Sequence, residues 1–119
     1  MKEVKIESKL YVFDNIEDTP EEIQNLMQLA IEARKNAYAP YSKFHVGAAL
    51  LLDNGEIISG SNQENASYPS GLCAERTAIF YAGAKYPKAT ILKMAITAAS
   101  QNQKTNKPIP PCGACRQSI

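Results

Sequence analysis

The stretch "KFHVGAALLLDNGEIISGSN", residues 43–62, decides the fold. Two β-prone runs flank Asp53-Asn54-Gly55, and an Asn-Gly pair suits the positive φ angles of a tight hairpin turn. Strands are therefore expected at 44–52 and 56–61. Upstream, Thr19 offers an N-cap, Pro20 a first turn and Glu22 the closing residue of a capping box, so a helix should begin at Pro20. Ile23, Leu26, Met27, Ala30, Ala33, Arg34 and Ala37 trace one side of it, apolar apart from the arginine. It should end before Pro40, because a proline pushes its predecessor out of helical geometry. Downstream, the loop 62–71 leads to a helix over 73–84, and "ATILKMAITAA", residues 89–99, reads as a third strand apolar enough to be central. A polar loop over 100–111 precedes a last helix starting at Cys112. The order implies an α/β layered sheet with an antiparallel first pair and a later parallel strand. Residues 4–13, "VKIESKLYVF", fit a short strand or a surface arm.

Bulk properties narrow the class. The chain has 119 residues, enough for one domain with its own core, and 13 Lys+Arg against 12 Asp+Glu leave a net charge of +1. Such a balance favours neither a polyanion nor a membrane surface. No apolar run approaches the roughly 20 residues of a membrane span, and "MKEVKIESK" lacks the apolar centre of a signal peptide. A cytoplasmic protein is the expectation. There, its 3 cysteines point to metal or catalysis rather than to disulfides.

Those cysteines sit in two short segments, "GLCAERTA" (71–78) and "PPCGACRQ" (110–117). Cys112 and Cys115 are three apart, so on a first helical turn their sulfurs share a face and can hold one ion. The positive end of a helix dipole favours thiolate, and Cys73 at another helix start has the same advantage. Two such starts facing each other would supply three thiolates and leave a fourth tetrahedral position for water, the open corner of a catalytic zinc. Glu75 lies about 200° round the helix from Cys73, poorly placed to bind the same ion but able to reach its water and carry a proton. Cys73-Ala74-Glu75 and Pro111-Cys112-Gly113-Ala114-Cys115 match the three-cysteine variant of the zinc deaminase signature. A closed structural zinc site, or thiols buried as small hydrophobes, remains the competing reading. Arg76 and Arg116 each follow a site residue. Three thiolates outweigh a dication's charge, and guanidinium hydrogen bonds to sulfur would withdraw the surplus; the alternative is a pair of solvated helix arginines.

"YAPYSKFHVGAALL", "GSNQENASY", "CAERTAI" and "PCGACRQ" together resemble the small homotetrameric zinc-dependent cytidine deaminases, over about residues 30–119. The resemblance implies a three-layer αβα mixed sheet and one Zn²⁺ per chain. It also implies hydrolysis of cytidine and deoxycytidine to uridine and deoxyuridine with release of ammonia, in pyrimidine salvage. In that family the residue matching Phe44 packs on the pyrimidine ring, those matching Asn62 and Glu64 bond the ribose hydroxyls, and the backbone and side chain around Ala74 and Glu75 read the base edge. The segment matching Ala66, Ser67 and Tyr68 approaches a neighbouring subunit's site. Read alone, Phe44 would be a core aromatic and His45 a surface or interface residue on the opposite strand face. The Glu64 charge favours a free pyrimidine nucleoside over a nucleotide, and no basic track for nucleic acid is visible.

The resemblance further divides the chain into an extension, residues 1–18, and a zinc domain, 19–119, whose C-terminal part is expected to be missing, since family members continue past the last cysteine. A tetramer is expected of the full-length protein. Two other functions fit the same motifs: a deaminase of a modified cytosine nucleoside, of the blasticidin type, and a zinc-stabilised binding module without turnover.

Overall fold

The computed structural model describes residues 1–102, 104 and 107–119. Helix α1 spans Glu21–Arg34 with Pro20 as its N-cap. The expected capping box does not form, because both of its side chains are taken elsewhere. The Thr19 hydroxyl turns back to the Ile16 carbonyl and closes the short 3₁₀ turn Ile16–Asp18. Glu22 reaches across the fold and pairs with Lys93 Nζ at 2.9 Å. Residues 1–13 form no strand: Val4, Ile6, Leu10 and Val12 are exposed, an arm rather than a sheet element. Alternation alone does not make a strand without an edge to pair with.

Strands β1 (Phe44–Leu52) and β2 (Ile57–Ser61) form the expected hairpin. Its turn closes with Leu52 N–H donating to the Glu56 carbonyl at 2.9 Å, so β2 starts one residue later than expected. Gly55, at φ 85°, takes the left-handed position that glycine occupies without strain. Helix α2 covers Ala74–Lys85 and β3 covers Ile91–Ser100. The strand order is β2-β1-β3, with β3 antiparallel to β1. Two expectations are corrected here: β1, not β3, is central, and no two strands pair in parallel, the parallel pairing among the described residues being the isolated bridge between Tyr38 and Gln63. The crossover through α2 does return the chain parallel to β2, but it lands on the free edge of β1, so the parallel strands are separated by the one antiparallel to both.

The layers follow from the period of two along β1. Ala48, Leu50 and Leu52 face α2, packing with Ile58, Ala74, Ala78 and Ala82. Ala49, on the other face, packs with Leu26 and Ala30 of α1 and with Ala95 of β3, and Leu51 covers that cluster. Each helix approaches through a glycine. A Cβ at Gly47 would stand 1.9 Å from the Ala30 carbonyl oxygen, and one at Gly60 would stand 2.7 Å from the Ala78 nitrogen. The helix–sheet–helix sandwich expected from the resemblance is thus present. Helix α3 (Gly113–Ser118) packs against α2. The loop expected over 100–111 falls partly outside the described residues.

Candidate metal centre

Cys73 is the N-cap of α2 and Cys112 the N-cap of α3, both with extended backbone. Each therefore stands at a helix mouth rather than inside the first turn, one residue earlier in the helix frame than the sequence implied. The Cys73 carbonyl accepts from Thr77 N–H at 3.0 Å and the Cys112 carbonyl from Arg116 N–H at 2.9 Å, which locks both mouths. Cys115, one turn into α3, is fully buried.

The three sulfurs converge, all within 4.8 Å of one another. Cys73 Sγ lies 3.7 Å from Cys112 Sγ, which lies 3.6 Å from Cys115 Sγ. A disulfide needs about 2.05 Å, so these are free thiols. Tetrahedral zinc with Zn–S bonds of about 2.3 Å demands sulfurs about 3.8 Å apart. Two edges of the cluster already have that length, so the donor set fits zinc in both chemistry and spacing.

The thiols differ in proton affinity. Hydrogen bonds to Cys112, chiefly from the Cys115 backbone N–H and then its side chain, draw the Cys112 pKa down to about 7. Burial pushes Cys115 up to about 12, and the nearby Glu75 charge adds to that. A cation among these sulfurs relieves the cost of a buried thiolate.

Arg76 Nη2 lies 3.6 Å from Cys73 Sγ. Hydrogen bonds to the Cys73 and Cys115 sulfurs hold its guanidinium more firmly protonated than usual. Its Nε is buried without a partner. Arg116 differs: its Nε donates to the Pro111 carbonyl at 2.9 Å, on the surface. As the fourth residue of α3 it folds back over its own N-terminal loop.

Glu75, in the first turn of α2, is 5% exposed and is the one buried carboxylate among the described residues. Carboxylates are rarely buried without a reason. Its neighbour Ala74 is fully buried in the core between α2 and the sheet.

The residues expected around a sugar and base gather at the start of β1. The Asn62 side chain is committed to the sheet, with Oδ1 accepting from Val46 N–H at 2.8 Å and Nδ2 donating to the Phe44 carbonyl at 2.9 Å. One Nδ2 hydrogen is left. Glu64 Oε1 accepts from the N–H groups of Tyr41 and Ser42, each at 3.1 Å, and Oε2 accepts from the Ser42 hydroxyl. Burial alone would raise the Glu64 pKa, but the bonds from Ser42 and Tyr41 outweigh it and hold the carboxyl below its ordinary value. Phe44 and His45 are both half-buried, and Ala66, Ser67 and Tyr68 lie on the exposed loop before α2. Sequence reasoning gave Ser42 no role, although it lies in one of the quoted segments. Its partner Glu64 is twenty-two positions away, and no local period links the two.

A family model described as the cytidine and deoxycytidylate deaminase zinc-binding region matches residues 20–119. A cytidine deaminase of Halalkalibacterium halodurans is 50% identical over 94 residues, covering 79% of this chain and 67% of the relative. One of Sporosarcina psychrophila is 46% identical over 101 residues, covering 82% and 68%. The chain thus spans about two thirds of their length. The crystal structure of a cytidine deaminase from Burkholderia pseudomallei superposes with a TM-score of 0.69 at 43% identity, covering 83% of this chain and 73% of that one. With three sulfurs at zinc spacing and a family match that runs through both cysteine segments, the chain belongs to the zinc-dependent cytidine and deoxycytidylate deaminase family, with one zinc ion per chain as its cofactor.

Proposed function

We propose that the chain hydrolyses free cytidine and deoxycytidine to uridine and deoxyuridine, releasing ammonia, as a step of pyrimidine salvage in the cytoplasm. The observation that carries this reading is the buried Glu75 carboxylate beside three sulfurs spaced for a tetrahedral ion. Cys73, Cys112 and Cys115 would hold zinc, which when bound supplies a Lewis acid that makes water nucleophilic near neutral pH. Glu75 takes the proton of the attacking water and delivers it to the ring nitrogen beside the carbon that bears the amino group. It then takes the proton of the hydroxyl now on that carbon, which becomes the carbonyl, and hands it to the departing amine, which leaves as ammonia. Arg76, bonded to the Cys73 sulfur, draws off negative charge that would otherwise weaken the Lewis acid.

Phe44 packs on the pyrimidine, the backbone and side chain around Ala74 and Glu75 read the base edge, and Asn62 with Glu64 binds the ribose hydroxyls. The carboxylate at Glu64 repels a phosphate, which favours a nucleoside. A homotetramer in which Ala66 to Tyr68 borders a neighbour's site completes the reading; Tyr68, 90% exposed, is free for such a contact.

Ultraviolet monitoring of cytidine, with parallel assay of ammonia, tests the proposal. Zinc-replete protein is expected to convert it, and Glu75→Ala to bind zinc without turnover. A zinc-replete wild type that leaves cytidine intact would refute it.

A further inference from the structure

Ser42 joins the two parts of the nucleoside site through a single hydroxyl. Its Oγ accepts from Phe44 N–H at 3.1 Å, and its proton goes to Glu64 Oε2. The hydroxyl is thus oriented at both ends. The backbone N–H of the same residue, with that of Tyr41, holds the other oxygen of Glu64. Three donors from two consecutive residues converge on one carboxylate.

The backbone is bent to achieve this. Lys43, between Ser42 and Phe44, has φ 57°, the one non-glycine residue in the left-handed region among those described. That conformation costs a side-chain-bearing residue energy and persists only where its surroundings impose it. Here Lys43 N–H donates to the Ala39 carbonyl at 3.1 Å, and Gln101 N–H donates to the Lys43 carbonyl at 2.9 Å. The kink turns the chain from the donors that hold Glu64 into the first residue of β1. Glu64 is anchored from its own side as well, its N–H donating to the Tyr38 carbonyl at 2.9 Å.

We propose that Ser42 is a positioning residue for the sugar: by bonding Glu64 and the Phe44 backbone together, its hydroxyl sets the ribose-binding carboxylate at a fixed place relative to the ring-packing aromatic. The proposal rests on the nucleoside reading of Glu64 and Phe44 given above. It adds a cause for their geometry and a residue that touches no reacting atom. A carboxylate with one oxygen held by backbone and the other by Ser42 presents its remaining lone pairs in one orientation, so less freedom is lost on binding.

Steady-state kinetics of the zinc-replete chain on cytidine and on 2′,3′-dideoxycytidine, which lacks the hydroxyls Glu64 would bind, tests this. Ser42→Ala is expected to raise KM for cytidine about tenfold, the worth of one hydrogen bond to a charged group at a solvated site. Its kcat should change little and its KM for the dideoxy compound hardly at all. Ser42→Thr, with room for a methyl on this exposed residue, should restore cytidine binding. Should Ser42→Ala fail to fold by circular dichroism, Ser42→Cys, a near-isostere with a weak donor, should show the same sugar-dependent loss. An equal loss on both nucleosides, or a fall in kcat alone, overturns the positioning role while leaving the deaminase reading intact. A wild type inactive on cytidine overturns both.

Discussion

The two helix starts that carry the cysteines are built differently. Helix α2 has 12 residues and buries Ala74, Glu75, Ala78 and Ala82 against the sheet, with Gly60 letting its backbone approach. Helix α3 has 6 residues and buries Cys115. The centre thus joins a half packed against the sheet, bearing the buried Glu75 and the sulfur-bonded Arg76, to a half whose buried residue is Cys115. The proton transfer proposed for Glu75 would take place on the helix packed against the sheet.

Substitutions at matched positions can break this contrast. The largest effect is expected at Glu75: Glu75→Ala should cost roughly 10²–10⁴-fold in kcat with zinc retained, as measured by metal analysis of the assayed sample. The arginines come next. Arg76→Gln should keep zinc but lose roughly 10–100-fold in turnover, whereas Arg116→Gln should stay within about 0.5 kcal/mol of the parent in both stability and activation energy. Equal effects would show that the two helix starts are equivalent after all. The glycines follow. Gly60→Ala forces a Cβ to 2.7 Å from the Ala78 nitrogen and should cost about 1–3 kcal/mol in urea denaturation. Gly113→Ala at the start of α3 meets nothing within 4 Å and should cost nothing. The last effect concerns pH. Thiols must lose protons to bind zinc, and metal-free Cys112 titrates at about 7. Below that value Cys112 binds a proton that zinc must displace, so zinc affinity should fall by up to a further tenfold per pH unit. Above it this contribution is absent. A competition titration with a chromophoric chelator from pH 6 to pH 8 reads the change of slope.

Legibility tracked the distance over which each interaction acts. The hairpin and α2 were readable because turn chemistry and helix spacing are local signals; the cysteine segments, 39 positions apart, are the exception, readable because a metal demands several ligands of one chemical type. Thr19 and Glu22 formed a plausible capping box, yet Thr19 turns back to Ile16 three residues earlier and Glu22 pairs with Lys93 across the fold, a contact the local pattern does not contain. The place of β3 was misjudged for the same reason. Its apolar content suggested a central strand, but burial came from α1 packing over Ala95. Arg76 and Arg116 looked alike in sequence, and their surroundings separated them.

What the sequence alone determined is the chemistry: three thiols, one carboxylate and the order in which they arrive, since residue identity sets which atoms can bind a dication or move a proton. What only the tertiary structure decided is which groups meet. Sulfurs 3.7 and 3.6 Å apart, and a serine joining Glu64 to Phe44, are products of a sheet and two helices packing to close contact. Bonds formed across the fold leave no period along the chain.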